Sequence, residues 1–254
     1  MFGILTNKGQ VSSVSLDEFI SIDKMNYFEN EYFPKQFDKF CDNLPQILKK
    51  SKLAQEHWEK QIFIYQQIDN IPATEPVYIF NKLMSTWYDD WIDRDDGWKL
   101  IKTYVPEFIE YLYDNVVDNL YGFFIKYEIK GNPMEFHRDW GADVHGDLGL
   151  NPTEEESRIS DRTWAWFRFS DTKKLYVSDI DGKDDVSKRI PMKSYGAVFN
   201  AFDYHGCYDG SCGFSARINA GLKQNIIDDK GINISTWKEW YPPNDYWKEQ
   251  GLTL

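Results

Sequence analysis

Four residues of this 254-residue chain have the types and spacing for metal and anion chemistry: His137 and Asp139 in "MEFHRDWG", His205 in "DYHGCYDG", and Arg217 in "GFSARINAGL". Side chains alternate along an extended strand, so His137 and Asp139 fall on one face about one pleat apart. Two ligands of one metal ion need that arrangement; the plain alternative is a histidine beside a solvated acid. Of the four histidines, His205 is the best third ligand. It follows the apolar run "GAVFNAF", 66 positions after Asp139, where a strand end in a folded barrel can return beside the first pair.

Two imidazoles and one carboxylate on one face of an octahedral ion leave three positions open, the donor set of non-haem iron(II) oxygenases. In "GFSARINAGL", Phe214, Ala216, Ile218, Ala220 and Leu222 share one face and Ser215, Arg217 and Asn219 the other. Arginine presents a planar fork of donors that matches a carboxylate, and burying it without an anion is costly. Arg217, twelve residues after His205, either holds a dicarboxylate whose other end chelates the metal or pairs with one of the 41 Asp and Glu residues.

These residues need strands to carry them. From residue 121 the apolar period is two: in "YGFFIKYEI", Tyr121, Phe123, Ile125, Tyr127 and Ile129 alternate with Lys126, Glu128 and Lys130 on the other face. "MEFHRDW" resumes as a strand after the turn "KGNP". "TWAWFRFS" and "KLYVSDI" are expected to form a hairpin around Asp171 and Thr172, and "KRIPM", "GAVFNAF" and "GFSARINAGL" supply three more strands. Before residue 120 the pattern is mainly helical. Ser15 is a candidate N-cap, a helix is expected over 46–68 after Pro45, another from Tyr78 to about Trp91, a turn at "DRDDGW" and a further helix over 105–120. Helices first and strands afterwards predict an α+β fold, with helices packed against a sheet, barrel or sandwich.

Composition bounds the rest. The hydrophobic fraction is 42% and the aromatic fraction 17%, ample for a packed core. A net charge of −12 disfavours nucleic acid and anionic lipid as partners, because the one basic cluster, "ILKKSK", reads as a solvated helix face. The absence of a long apolar run or a signal-like start predicts no membrane span and a cytoplasmic location. Cys41, Cys207 and Cys212 do not make an even framework; Cys207 and Cys212 are either small loop residues or metal or redox groups.

The set His137-x-Asp139, His205 and Arg217, with the lead-in "IKYEIKGNPMEFHRDW", resembles the Fe(II)- and 2-oxoglutarate-dependent oxygenases of the prolyl-hydroxylase-like branch, over about residues 121–222. The resemblance implies one domain with a double-stranded β-helix core (jelly-roll, cupin-like) over 121–222. Supporting helices would fill 1–120, and 223–254 would pack near the site. It implies Fe(II) on His137, Asp139 and His205, and 2-oxoglutarate on Arg217 with O2 as the oxidant. Tyr127 either adds a hydroxyl to that carboxylate or is a core tyrosine.

The implied reaction splits 2-oxoglutarate to succinate and CO2, abstracts hydrogen from a substrate carbon and rebounds hydroxyl onto it. Related halogenases have a small residue where Asp139 stands, so hydroxylation rather than chlorination is expected. Length, helical first half and the Trp-rich ending "ISTWKEWYPP" look similar to bacterial hydroxylases and halogenases of free, lysine-like amino acids. Candidate substrate contacts are Asn219, His145, Trp237 and Trp240. His145 is otherwise a solvated loop residue, and the two tryptophans otherwise staple a terminal helix. The acidic, turn-rich segment 141–161 is a candidate lid. Two other functions compete: a non-catalytic cupin-like barrel that binds a metal or ligand, and a hydroxylase of a protein partner.

Overall fold

The computed structural model describes residues 13–67, 75–88, 91–128, 162–178, 185, 187, 189–199, 204–207 and 211–230. Within them the chain is a mixed helical and antiparallel-sheet protein. After β1 (Ser13–Ser15) come α1 (Ile22–Tyr27), one π-helical turn (Phe28–Tyr32), α2 (Phe33–Lys50), α3 (Lys52–Gln67), α4 (Glu75–Leu83), α5 (Arg94–Tyr104) and α6 (Pro106–Asn115). The strands follow: β2 (Val117–Glu128), β3 (Arg162–Arg168), β4 (Tyr176–Ser178), β5 (Ile190–Pro191), β6 (Gly196–Phe199), β7 (Tyr204–Gly206) and β8 (Gly213–Leu222), then α7 (Gln224–Lys230). No helix among the described residues is long and apolar enough to cross a membrane.

Two sheets form. The larger has the order β1-β6-β3-β8-β2 and the smaller β5-β4-β7, with antiparallel neighbours throughout. One face of the larger sheet is covered by helices. On α2 the apolar positions Phe33, Phe37, Phe40, Leu44 and Ile47 recur at intervals of four and three, which makes one stripe along a helix. Phe33 meets Phe214 of β8 at 5.2 Å between ring centroids, and Phe108 of α6 meets Phe123 of β2 and Phe167 of β3 at 6.2 and 6.1 Å. Phe169 completes the contact at 4.7 Å from Phe33 and 5.1 Å from Phe108, both edge-on, the favoured geometry for aromatic rings.

Several expected boundaries move, each for a local reason. Pro45 lies inside α2 and does not precede a helix; it is exposed, so the amide it lacks falls on the solvent side. The break comes at Ser51, where the backbone turns extended (φ −113°, ψ 100°) and Oγ accepts from the Ala54 amide. Ser15 ends β1, and the first α-helix is capped by Ser21, whose Oγ accepts from Lys24 N–H. The helix expected to reach Trp91 stops at Leu83, and Ser85 then bridges to Phe124 of β2.

"DRDDGW" is the start of α5 and not a turn. Asp93 accepts from the Asp95 amide and the acids of the first turn suit the helix dipole. Gly97 sits within this helix because a Cβ there would lie 2.6 Å from the Ser85 carbonyl oxygen. The helix expected over 105–120 ends at Asn115, and β2 begins at Val117.

The hairpin expected between "TWAWFRFS" and "KLYVSDI" does not form. β3 pairs with β6 and β8 in the larger sheet, and β4 pairs with β5 and β7 in the smaller. Arg168 donates to the carbonyls of Lys193 and Ser194, and Lys173, 1% exposed, is drawn into an ion pair with Glu128. Residues 169–175 therefore cross from one sheet to the other instead of turning back.

Candidate functional site

The site is built on the face of the larger sheet turned away from the helices. Antiparallel pairing aligns three rows of side chains there: Phe124, Arg217 and Trp166; Gly122, Asn219 and Trp164; and Lys126, Ser215 and Arg168. These come from β2, β8 and β3 in turn, and paired residues share a face. The smaller sheet and the crossing segment contribute His205, Cys207, Lys173 and Leu175, which line one cavity together with Phe124, Lys126, Glu128, Trp166, Ser215 and Arg217. Arg217 is thus brought to the same cavity as His205, which is 2% exposed. The cavity is narrow, about 20 Å³, roughly the room of one water. Lys126 and Arg217 are the half-buried cations among its lining residues.

Two tryptophans that the sequence pattern did not single out frame Arg217. Its guanidinium carbon lies 4.3 Å from the ring centre of Trp164 and 5.6 Å from that of Trp87, while the two indoles are 5.6 Å apart. Stacking on an aromatic face leaves the N–H edge of a guanidinium available to an anion. Trp87 reaches this place from the extended segment after α4. It lies over Gly122, where a Cβ would come within 2.6 Å of the indole, and meets Phe124 edge-on at 5.2 Å. The signal in the sequence was Gly122 itself, the one residue without a side chain in "LYGFFIKYE".

Asn219 shares the face of Arg217, as the alternation of β8 predicted; it pairs with Gly122 and Trp164 and is 3% exposed. Both amide atoms of Asn219 and the indole nitrogen of Trp164 are buried with no hydrogen bond among the described residues. Such atoms are costly without a partner, at about 1–3 kcal/mol each, so this row favours a polar occupant.

A buried charge group adjoins the cavity. Lys173 and Glu128 form an ion pair, and Glu29, from the π-helical turn, lies close enough to Lys173 to feel its charge. Glu29 accepts from the Phe214 amide at 3.1 Å, yet burial dominates and pushes its carboxyl up to about 7. Burial likewise pushes the Cys207 thiol up to about 11. Cys41, Cys207 and Cys212 are all free thiols.

Tyr127 is placed elsewhere. Its ring stacks on Phe214 at 4.5 Å and contacts Phe37 at 5.7 Å, on the helical side of the sheet, so it is a core tyrosine and does not share the face of Arg217. One step of alternation separates it from Lys126 and Glu128, which do line the cavity. His137, Asp139, His145, Trp237 and Trp240, with the segment 141–161, lie outside the described residues. Among the described residues no three His, Cys, Asp or Glu side chains form a metal-holding group. The fourth histidine, His57, packs against Trp91 at 5.1 Å on the helical layer. Compared with family models, with curated proteins and with solved structures, the chain matches none.

Proposed function

We propose that this protein is an Fe(II)- and 2-oxoglutarate-dependent hydroxylase of a small metabolite, a free amino acid of the basic, lysine-like kind, built on a double-stranded β-helix. One observation carries the proposal: His205, in the middle of β7, and Arg217 on β8 line one cavity between two antiparallel sheets. A buried imidazole is a suitable donor for ferrous iron, and His137 and Asp139 are assigned as its companions from the sequence. When bound, the iron supplies oxygen activation coupled to decarboxylation of 2-oxoglutarate.

The chain's own groups do the rest. Arg217, which lies against the Trp164 ring with Trp87 beside it, is assigned to the distal carboxylate of the co-substrate. Trp166, Leu175 and Phe124 restrict water around that carboxylate, which strengthens each charged hydrogen bond. Asn219 and the Trp164 N–H offer both an acceptor and donors to a substrate head group. Asp139 fills the position at which a small residue would admit chloride, which favours hydroxylation.

The test is a screen of free amino acids for substrate-dependent succinate release, with iron, ascorbate and 2-oxoglutarate present. Release with at least one amino acid, with a higher 2-oxoglutarate requirement in Arg217→Ala, supports the proposal. Tight metal binding with no succinate from any amino acid would instead make the protein a binding barrel.

A further inference from the structure

The helical layer holds a second cavity, on the other side of the larger sheet from Arg217. It lies between α2 and α5, encloses about 480 Å³, and falls in the size range of small-molecule sites. Its floor is apolar: Ile47, Ile92 and Tyr104 are each buried, and Leu100 is half-buried. Its rim is basic, although the chain as a whole carries −12. Lys39, Lys50 and Lys99 all line it, against the single acid Asp96. Lys99 is matched to Asp96 at 2.7 Å, whereas Lys39 and Lys50 have no ion-pair partner among the described residues. Lys39 sits 5.7 Å over the ring of Tyr104, and Asn43 donates to the Lys39 carbonyl at 2.8 Å.

From this we infer that the α2–α5 cleft binds a small organic anion with an apolar body, its charged end between Lys39 and Lys50 and its body on Ile47, Ile92, Leu100 and Tyr104. An apolar floor beside two ammonium groups without an ion-pair partner among the described residues suits such a molecule better than a neutral lipid or a bare inorganic anion. The neutral molecule would forgo the charges, and the inorganic one would forgo the apolar surface. The inference does not depend on the hydroxylase proposal.

The experiment uses the full chain and the fluorescent sulfonate 8-anilinonaphthalene-1-sulfonate as probe, at moderate salt. Saturable one-site enhancement is expected. Octanoate should displace the probe, while octanamide and acetate should do so at least tenfold less well. Two exposed-site variants locate the binding: Lys39→Glu with Lys50→Glu should weaken the probe about tenfold, and Thr103→Trp should block it sterically. All of these positions are solvent-facing, so thermal melts should match those of the unaltered protein. Equal displacement by octanamide, equal displacement by acetate, or undiminished binding in Thr103→Trp would each overturn the assignment.

Discussion

Glu29 makes folding stability depend on pH in an unusual direction. Its carboxyl ordinarily titrates near 4.5 and is pushed up to about 7 by burial, with the Phe214 amide and Lys173 opposing only in part. Below pH 4.5 the carboxyl is protonated whether the chain is folded or not, and no penalty arises. As pH rises toward 7 the unfolded chain releases the proton while the folded chain keeps it, so stability falls; above 7 the whole penalty is present. At about 1.4 kcal/mol per pH unit, the full penalty is about 3 kcal/mol, of which about 2 kcal/mol develops between pH 5.5 and 8.5. Glu29 is only half-buried, and solvent screening reduces that to about 1 kcal/mol. Glu29→Gln keeps an acceptor for the Phe214 amide and cannot ionise. Urea denaturation of both proteins across this pH range should show the variant gaining about 1 kcal/mol on the parent as pH rises. A constant difference, or a parent that gains on the variant, would show that the attraction of Lys173 outweighs desolvation and that the carboxylate is ionised in the fold.

Gly122→Ala should lower stability by about 1–3 kcal/mol, because the new methyl meets the Trp87 indole, and Trp87→Phe in the same chain should restore part of the loss; thermal melts of the three proteins check this. Lys173→Met should destabilise by about 3–5 kcal/mol by stranding Glu128, and adding Glu128→Leu should recover most of it; a double variant no more stable in urea than the single one would contradict the ion pair. His205→Ala and His137→Ala should each abolish succinate release and sharply weaken iron binding, whereas Arg217→Ala should raise the 2-oxoglutarate requirement more than tenfold with iron affinity little changed. Asp139→Gly should lose hydroxylation without gaining chlorination, and chlorinated product from the unaltered protein in chloride buffer would refute the assigned role of this carboxylate.

The strands were legible where one face is apolar. Alternation along β2 and β8 placed Arg217, Asn219 and Ser215 together, and the pairing of these strands agrees. Helix ends were less legible, because punctuation residues act through their surroundings. Pro45 does not stop a helix whose missing amide faces water, and Asp93 turns an acidic run into a helix start. The hairpin failed because β3 and β4 satisfy their backbones with strands distant in sequence, which local patterning does not encode. The place of Trp87 is not encoded locally for the same reason: it stands in an irregular segment far along the chain from the strands it covers. Of the two readings of Tyr127, the core tyrosine fits its packing on Phe214 and Phe37, because alternation puts it on the opposite face from Arg217's partner Phe124.

Ser85 clips the segment after α4 onto β2 at Phe124, and the indole two residues later walls the guanidinium of β8. The surroundings of Arg217 are therefore assembled by both halves of the chain, and neither half is a portable cassette. Transplanting 117–222 onto a foreign scaffold would leave Arg217 open to solvent on one flank unless the stretch 84–88 travelled with it.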